Sequence, residues 1–190
     1  MRSWWYRTAV VLCLAVMMLP APVSRAVGAG YKPRQVMALM ITKFTRYATW
    51  PNADAVQDSA TVNVCLVTRD SELRRVFAQT LNDKKIGGKN WKITTVSSLS
   101  RADKCPIVFV GRDMPEPDPG WYEERSKRGV LTFGEKEDVL PRTSVVNFVV
   151  VDKKVKFDLN LKSALRAGLK LNSRLRGVAR DVIDKPDSQK

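Results

Sequence analysis

Two short stretches limit the possible folds more than anything else in the chain: Thr61–Val67 (TVNVCLV) and Cys105–Val110 (CPIVFV). Both are rich in β-branched residues and nearly continuous in apolar side chains. A strand with one wet face would alternate apolar and polar residues instead. Runs of this kind belong in the middle of a mostly parallel sheet covered on both faces. Pro106 fits only at the beginning of its strand, where a missing N–H does little harm.

Such a sheet needs helices to cover it, and the chain supplies them in alternation. From Pro33, the positions Val36, Leu39, Met40, Phe44 and Tyr47 recur at helical steps and form one apolar stripe, which Trp50-Pro51 ends. Residues 52–60 are polar and small and read as a loop. After the first strand, Asp70 can cap a helix carrying Leu73, Val76, Phe77 and Leu81 on one face. A turn at Gly87-Gly88 leads to a second strand, Trp91–Val96, and a polar link over 98–104 leads to the third at Cys105. The proline-rich loop 113–120 and a short helix (Trp121–Arg128) precede a fourth strand at Gly129–Phe133. Beyond it the texture changes. Ser144–Val151 and Val155–Leu159 flank Asp152-Lys153-Lys154, and the second of these alternates, which predicts an antiparallel hairpin with one exposed face. Asp-Lys is not a favoured hairpin turn, so the register is open by one residue. Asn160 can cap a helix with Leu161, Ala164 and Leu165 inward and Gly168 as its stop. Asn172 or Ser173 starts a last helix carrying Leu175, Val178, Ala179 and Val182, and residues 185–190 form a polar tail. The order predicts a three-layer α/β/α sandwich with a mixed, mostly parallel sheet and a C-terminal antiparallel hairpin.

The N-terminus reads as a signal peptide over residues 1–26. Arg2 and Arg7 precede an uncharged run from Thr8 to Leu19, Pro20 and Pro22 break it, and the small residues Ser24 and Ala26 follow. The run is shorter than the roughly 20 residues of a membrane-spanning helix. Cleavage is expected after Ala26 or, second, after Ala29, which places the working domain, residues 31–184, in the periplasm with no membrane span. Removing residues 1–26 leaves 30 basic against 19 acidic residues, a net charge of +11. Outside the cytoplasm that balance points away from nucleic acid, towards anionic lipid, cell-wall polymer or an acidic protein face. It is also compatible with solvated charges spread over every face.

The chain has no histidine, which excludes a Ser-His-Asp triad, a Cys-His pair and any histidine-containing metal site. No acids pair at a telling spacing, and Gly87-Gly88 matches no phosphate-binding fingerprint. The reading is therefore of a protein that is not an enzyme and carries no cofactor or metal. Cys13 leaves with the signal, so Cys65 and Cys105 remain as an even pair in an oxidising compartment. Two readings stay open for them: a disulfide, or two buried thiols acting as small core residues. If the first and third strands are neighbours, as in flavodoxin-like winding, the two sulfurs come within bonding range.

Several of these pieces, in order, resemble the YfiR-like family: Phe44-x-x-Tyr47-x-x-Trp50-Pro51, Val64–Val67, Cys105–Val110, Val145–Phe148, Val155–Leu161 and Ala167–Leu175, with Ala179. The similarity spans roughly Tyr31 to Val182. It implies a dimeric periplasmic regulator, whose best-known member represses a membrane-bound diguanylate cyclase by binding its periplasmic part. Release of that enzyme raises cyclic-di-GMP and favours biofilm. Two departures stand out. Arg142-Thr143 occupies the place where the family often has Gly-Gly, and nothing after Cys105 is a cysteine. A thiol switch built on a C-terminal cysteine pair therefore does not carry over, and Cys65 and Cys105 match at most the family's other pair, with a role in stability.

Two functions follow. In the first, the protein is an interaction module that holds an inner-membrane signalling enzyme, a diguanylate cyclase by resemblance, in its inactive state. Phe44, Tyr47, Trp50 and Pro51 are the candidate partner-binding residues, because aromatics cluster at interface hot spots; core packing is the other reading for Phe44 and Tyr47, and Trp50 is the one expected at the surface. In the second, the protein is an envelope sensor or carrier of a small anion. Its crevice would lie at the carboxyl ends of the parallel strands, with Arg69 and Arg112 as ligand-binding residues.

Overall fold

The computed structural model describes residues 32–52, 56–136 and 144–184. The signal peptide, Arg142-Thr143 and the tail 185–190 lie outside the described residues. Helix α1 (Pro33–Tyr47) opens with a proline whose fixed φ suits a first helical turn. It buries Met37, Ala38, Ile41, Thr42, Phe44 and Thr45. The buried stripe is thus shifted by about one residue from the Val36–Leu39–Met40 row that hydropathy suggests. Thr45 satisfies its buried hydroxyl by donating to the Ile41 carbonyl at 2.9 Å. The helix stops at Tyr47, short of Trp50-Pro51, because Ala48–Thr49 becomes strand β1, paired antiparallel with Lys170–Leu171.

Strand β2 (Thr61–Val67) feeds α2 (Ser71–Leu81), whose N-cap Asp70 accepts from the backbone N–H groups of Glu72 and Leu73. Strands β3 (Lys85–Ile86) and β4 (Lys89–Val96) form a hairpin, and a 3-10 turn (Leu99–Ala102) leads to β5 (Ile107–Val110). Helix α3 (Pro119–Lys127), capped by Asp118, connects to β6 (Leu131–Gly134). Then follow β7 (Val146–Val151), β8 (Lys154–Asn160), α4 (Leu161–Arg166), β9 (Lys170–Leu171), α5 (Arg174–Val178) and β10 (Asp181–Ile183).

The main sheet runs β10-β8-β7-β6-β5-β2-β4-β3. Its five central strands, β4-β2-β5-β6-β7, are mutually parallel, while β3 and β8 join antiparallel and β10 runs parallel to β8. The fold is the expected α/β sandwich with a mixed sheet. Alternate side chains of each central strand enter two cores. Val62, Val64, Leu66, Ile107, Phe109, Leu131 and Phe133 pack beneath α1 and α2 in the larger one. Cys65, Val67, Val108 and Val110 face the 3-10 turn and α3 in the smaller, with Val130 and Trp121 beside them. Because β2 and β5 are neighbours, Cys65 and Cys105 lie 5.7 Å apart at Cα and are joined by a disulfide.

The C-terminal third settles the open hairpin register and departs from expectation in three places. The β7–β8 hairpin closes through Asp152 and Lys153, both left-handed (φ 49° and 62°), giving a two-residue turn with Val151 opposite Lys154. Its second strand does not keep one face wet: Asp158 is 1% exposed. Arg180 covers it in a fork, Nε and Nη2 donating to the two carboxylate oxygens at 2.7 and 2.5 Å. The last helix ends after five residues, and Val182 lies in β10 instead. The same Arg180 explains this, because its backbone N–H donates to the Phe157 carbonyl at 2.8 Å and draws the chain into the sheet. Leu165 and Val178, expected inward, are 78% and 67% exposed.

Candidate functional site

In a doubly wound sheet the ligand crevice forms where neighbouring strands send their connections to opposite faces, outside the carboxyl ends. Here that point lies between β2 and β5, where Arg69 and Arg112 were expected to bind an anion. The position is filled from within. The Asp113 carboxylate accepts from Thr68 Oγ1 and the Arg69 backbone N–H, both at 2.6 Å, and from the Asp70 N–H at 3.2 Å. Gly111 makes room for it, since a Cβ there would fall 2.6 Å from Asp113 Oδ1. A carboxylate of the chain's own thus sits where a ligand anion would, and the crevice is closed at the switch point itself.

The open space lies one strand further along. A cleft of about 460 Å³ is lined by Lys32, Pro33, Arg34, Met37, Glu72, Val76, Arg112, Glu135 and Val150. It runs from the start of α1 to the carboxyl ends of β5 and β6. Arg112 lines it; Arg69 is exposed and does not. Arg34 is committed on one wall, its guanidinium gripping both oxygens of Asp70 at 3.1 and 2.6 Å and reaching Glu72 at 3.3 Å. The hydrogen bond from Arg34, reinforced by the Leu73 backbone N–H, holds the Asp70 carboxyl below its usual range. On the other wall Glu135 is buried, its side chain 5% exposed, and Arg112 Nη2 donates to its Oε1 at 3.2 Å. Burial pushes the Glu135 carboxyl above its ordinary value, against the pull of Arg112.

The residues expected to bind a partner are divided by the structure. Phe44 is in the core, its ring edge-on to Phe133, Phe148 and Phe157 with centroids 5.6, 6.3 and 4.9 Å away. Trp50, expected at the surface, is 5% exposed. It is buried because the chain, on leaving the helix, pairs with β9 through β1 in a separate two-stranded sheet and folds back against the core instead of running into solvent. Tyr47 and Pro51 remain at the surface. Pro51 also wedges between two left-handed glycines, where a Cβ on Gly129 would fall 2.8 Å, and one on Gly168 3.2 Å, from its ring. The motif Trp50-Pro51 is therefore a packed corner. Next to it, β1 pairs with β9, and a groove of about 590 Å³ begins there, lined by Leu161, Leu165, Leu169 and Leu171, with Lys162, Lys170 and an Arg176–Asp184 ion pair of 2.9 Å on its rim.

Sequence reasoning missed Glu135, Arg34 and Asp113. Glu135 was within reach, because it follows the fourth strand as Arg112 follows the third; Asp113 was hidden in a loop that reads as proline-rich filler.

The profile of the YfiR/HmsC-like family matches residues 34–180, almost the whole described domain. The chain belongs to that family. No curated protein sequence matches it. Among solved structures, this YfiR/HmsC-like chain is similar to the ABC domain from Streptococcus pneumonia in complex with L-Trp, with TM-score 0.51 and 11% identity over 80% of this chain and 62% of that one. It is also similar to a conserved domain protein from Vibrio cholerae, with TM-score 0.50 and 8% identity over 80% of this chain and 60% of that one. The chain spans about 60% of the length of these structures. At such identities the likeness is one of fold.

Proposed function

We propose that this protein is a periplasmic regulator that binds the periplasmic part of an inner-membrane signalling enzyme, a diguanylate cyclase, and keeps it inactive. Family membership across residues 34–180 carries the reading. Repression of this kind requires only that the protein prefer the inactive conformation of its target, and no catalytic chemistry. Among the described residues no helix is long and apolar enough to cross a membrane, so contact with a membrane enzyme falls to the surface. That surface is the leucine groove beside Tyr47 and Pro51, where exposed Leu165 stands among basic rim residues. Its apolar floor and positive rim suit a partner with apolar anchors and acidic flanks. The working unit is a homodimer, which light scattering on the exported protein tests directly.

The decisive experiment is recovery of partners from solubilised membranes by the exported protein, together with cyclic-di-GMP measurement in a deletion strain. Capture of a membrane cyclase, lost in Leu165→Glu, and a rise in cyclic-di-GMP on deletion are the expected results. Unchanged cyclic-di-GMP with no signalling enzyme captured would end the proposal. A second reading, a sensor of a small anion, is favoured by the cleft around Arg112.

A further inference from the structure

The cleft between α1 and the ends of β5 and β6 has a specific chemistry. Arg112 is 59% exposed on its side chain and gives one donor of its guanidinium to Glu135. Glu135 thereby fixes the position of a half-exposed cation that keeps further N–H donors, and a guanidinium fork matches a second carboxylate well. Lys32, at the mouth, makes no ion pair among the described residues, whereas Arg34 is consumed by Asp70 and Glu72. With every group charged, Lys32, Arg34 and Arg112 balance Asp70, Glu72 and Glu135, but the carboxylates are spent on Arg34 and on one donor of Arg112, so the cations left at the mouth are Lys32 and the rest of the Arg112 guanidinium. The rest of the lining, Pro33, Met37, Val76 and Val150, is apolar. Its volume of about 460 Å³ lies within the roughly 300–1,000 Å³ of pockets that enclose small organic ligands.

We propose that this cleft binds a small carboxylate with a hydrocarbon or aromatic body, its carboxylate on the Arg112 fork and its body against Met37, Val76 and Val150. The inference rests on the anion-sensor reading and narrows it to one ligand class and one site. Inorganic phosphate fits poorly, because it leaves the apolar walls wet. The switch-point position that would suit it is held by Asp113. An alkylammonium fits poorly as well, because its charge would meet Arg112 and Lys32 at the mouth.

Isothermal titration of the exported protein with sodium octanoate, sodium phenylacetate, sodium phosphate and octylammonium chloride tests this. Saturable binding of octanoate or phenylacetate is expected, weakened about tenfold or more in Arg112→Gln, the loss of one charge-assisted fork. Arg69→Gln should bind as the wild type does. Gln at position 112 keeps an N–H donor for Glu135, and circular dichroism verifies that the fold is intact. Binding of phosphate as tight as octanoate would overturn the carboxylate proposal while leaving an anion sensor standing. Equal or tighter octylammonium binding, or equal losses in both arginine variants, would overturn the ligand class or the site. No saturable binding by any probe would remove both the proposal and the sensor reading.

Discussion

Phe44 shows how one residue can look like an interface and be a keystone. It meets three other rings edge-on, an arrangement worth more than area alone. Phe44→Ala should cost about 3–5 kcal/mol, the usual range for emptying a buried aromatic site, as read by chemical denaturation. Glu135 gives a pH signature. Its carboxyl is raised from 4.5 by burial, opposed by Arg112, with Arg34 also acting on it and Glu72 lining the same cleft. Because the folded state disfavours its charge, the wild type loses stability as pH rises from about 4.5 through the raised value. Glu135→Gln, which never ionises, should gain on the wild type over that window in denaturation curves taken from pH 4 to 8. Asp70 has the opposite sign. Its lowered carboxyl stabilises the fold above 3.8, and that contribution disappears as pH falls through the lowered value. Hydropathy points to aromatics in an amphipathic helix, but it cannot say which ones the sheet covers. That is why Phe44 was legible as apolar and only Tyr47 belongs at the surface.

At the level of elements, β2 and α2 were readable because apolar continuity and a capping aspartate are local signals, whereas the pairing of β2 with β5 entered only as a condition drawn from strand order, which the sheet fulfils. The C-terminal elements were not, since what ends α5 is a long-range ion pair. Arg180 reaches back to Asp158 across 22 residues and fastens β10 to β8. Arg180→Ala leaves Asp158 buried without its fork. The expected loss is about 2 kcal/mol, below the 3–5 of fully buried pairs because this guanidinium is 42% exposed. Hydrogen exchange should then quicken first at residues 181–183. The disulfide works on a different pair of elements. It closes a separation of 40 residues between β2 and the start of β5. Its removal should cost about 2–4 kcal/mol, mostly through the unfolded chain. Thermal unfolding of Cys65→Ser/Cys105→Ser against the wild type measures it.

For the molecule as a whole, the alternation of apolar strands and amphipathic helices was enough to specify layers and sheet type. The candidate cleft was half legible: the strand-end rule led to Arg112, but the self-supplied Asp113 carboxylate moved the open space one strand over. The sheet's rims add a further consequence. Strands β3 and β10, at its two margins, have only two and three residues. Each covers only part of its neighbour: β3 pairs with Lys89 and Asn90 of β4, and β10 with Asp158–Asn160 of β8. Along the stretches they leave uncovered stand the exposed Lys92 on β4 and Lys154 and Lys156 on β8. Charges at such edges discourage another chain from continuing the ladder, so protection against cross-molecule strand pairing rests on these lysines as much as on the short margins.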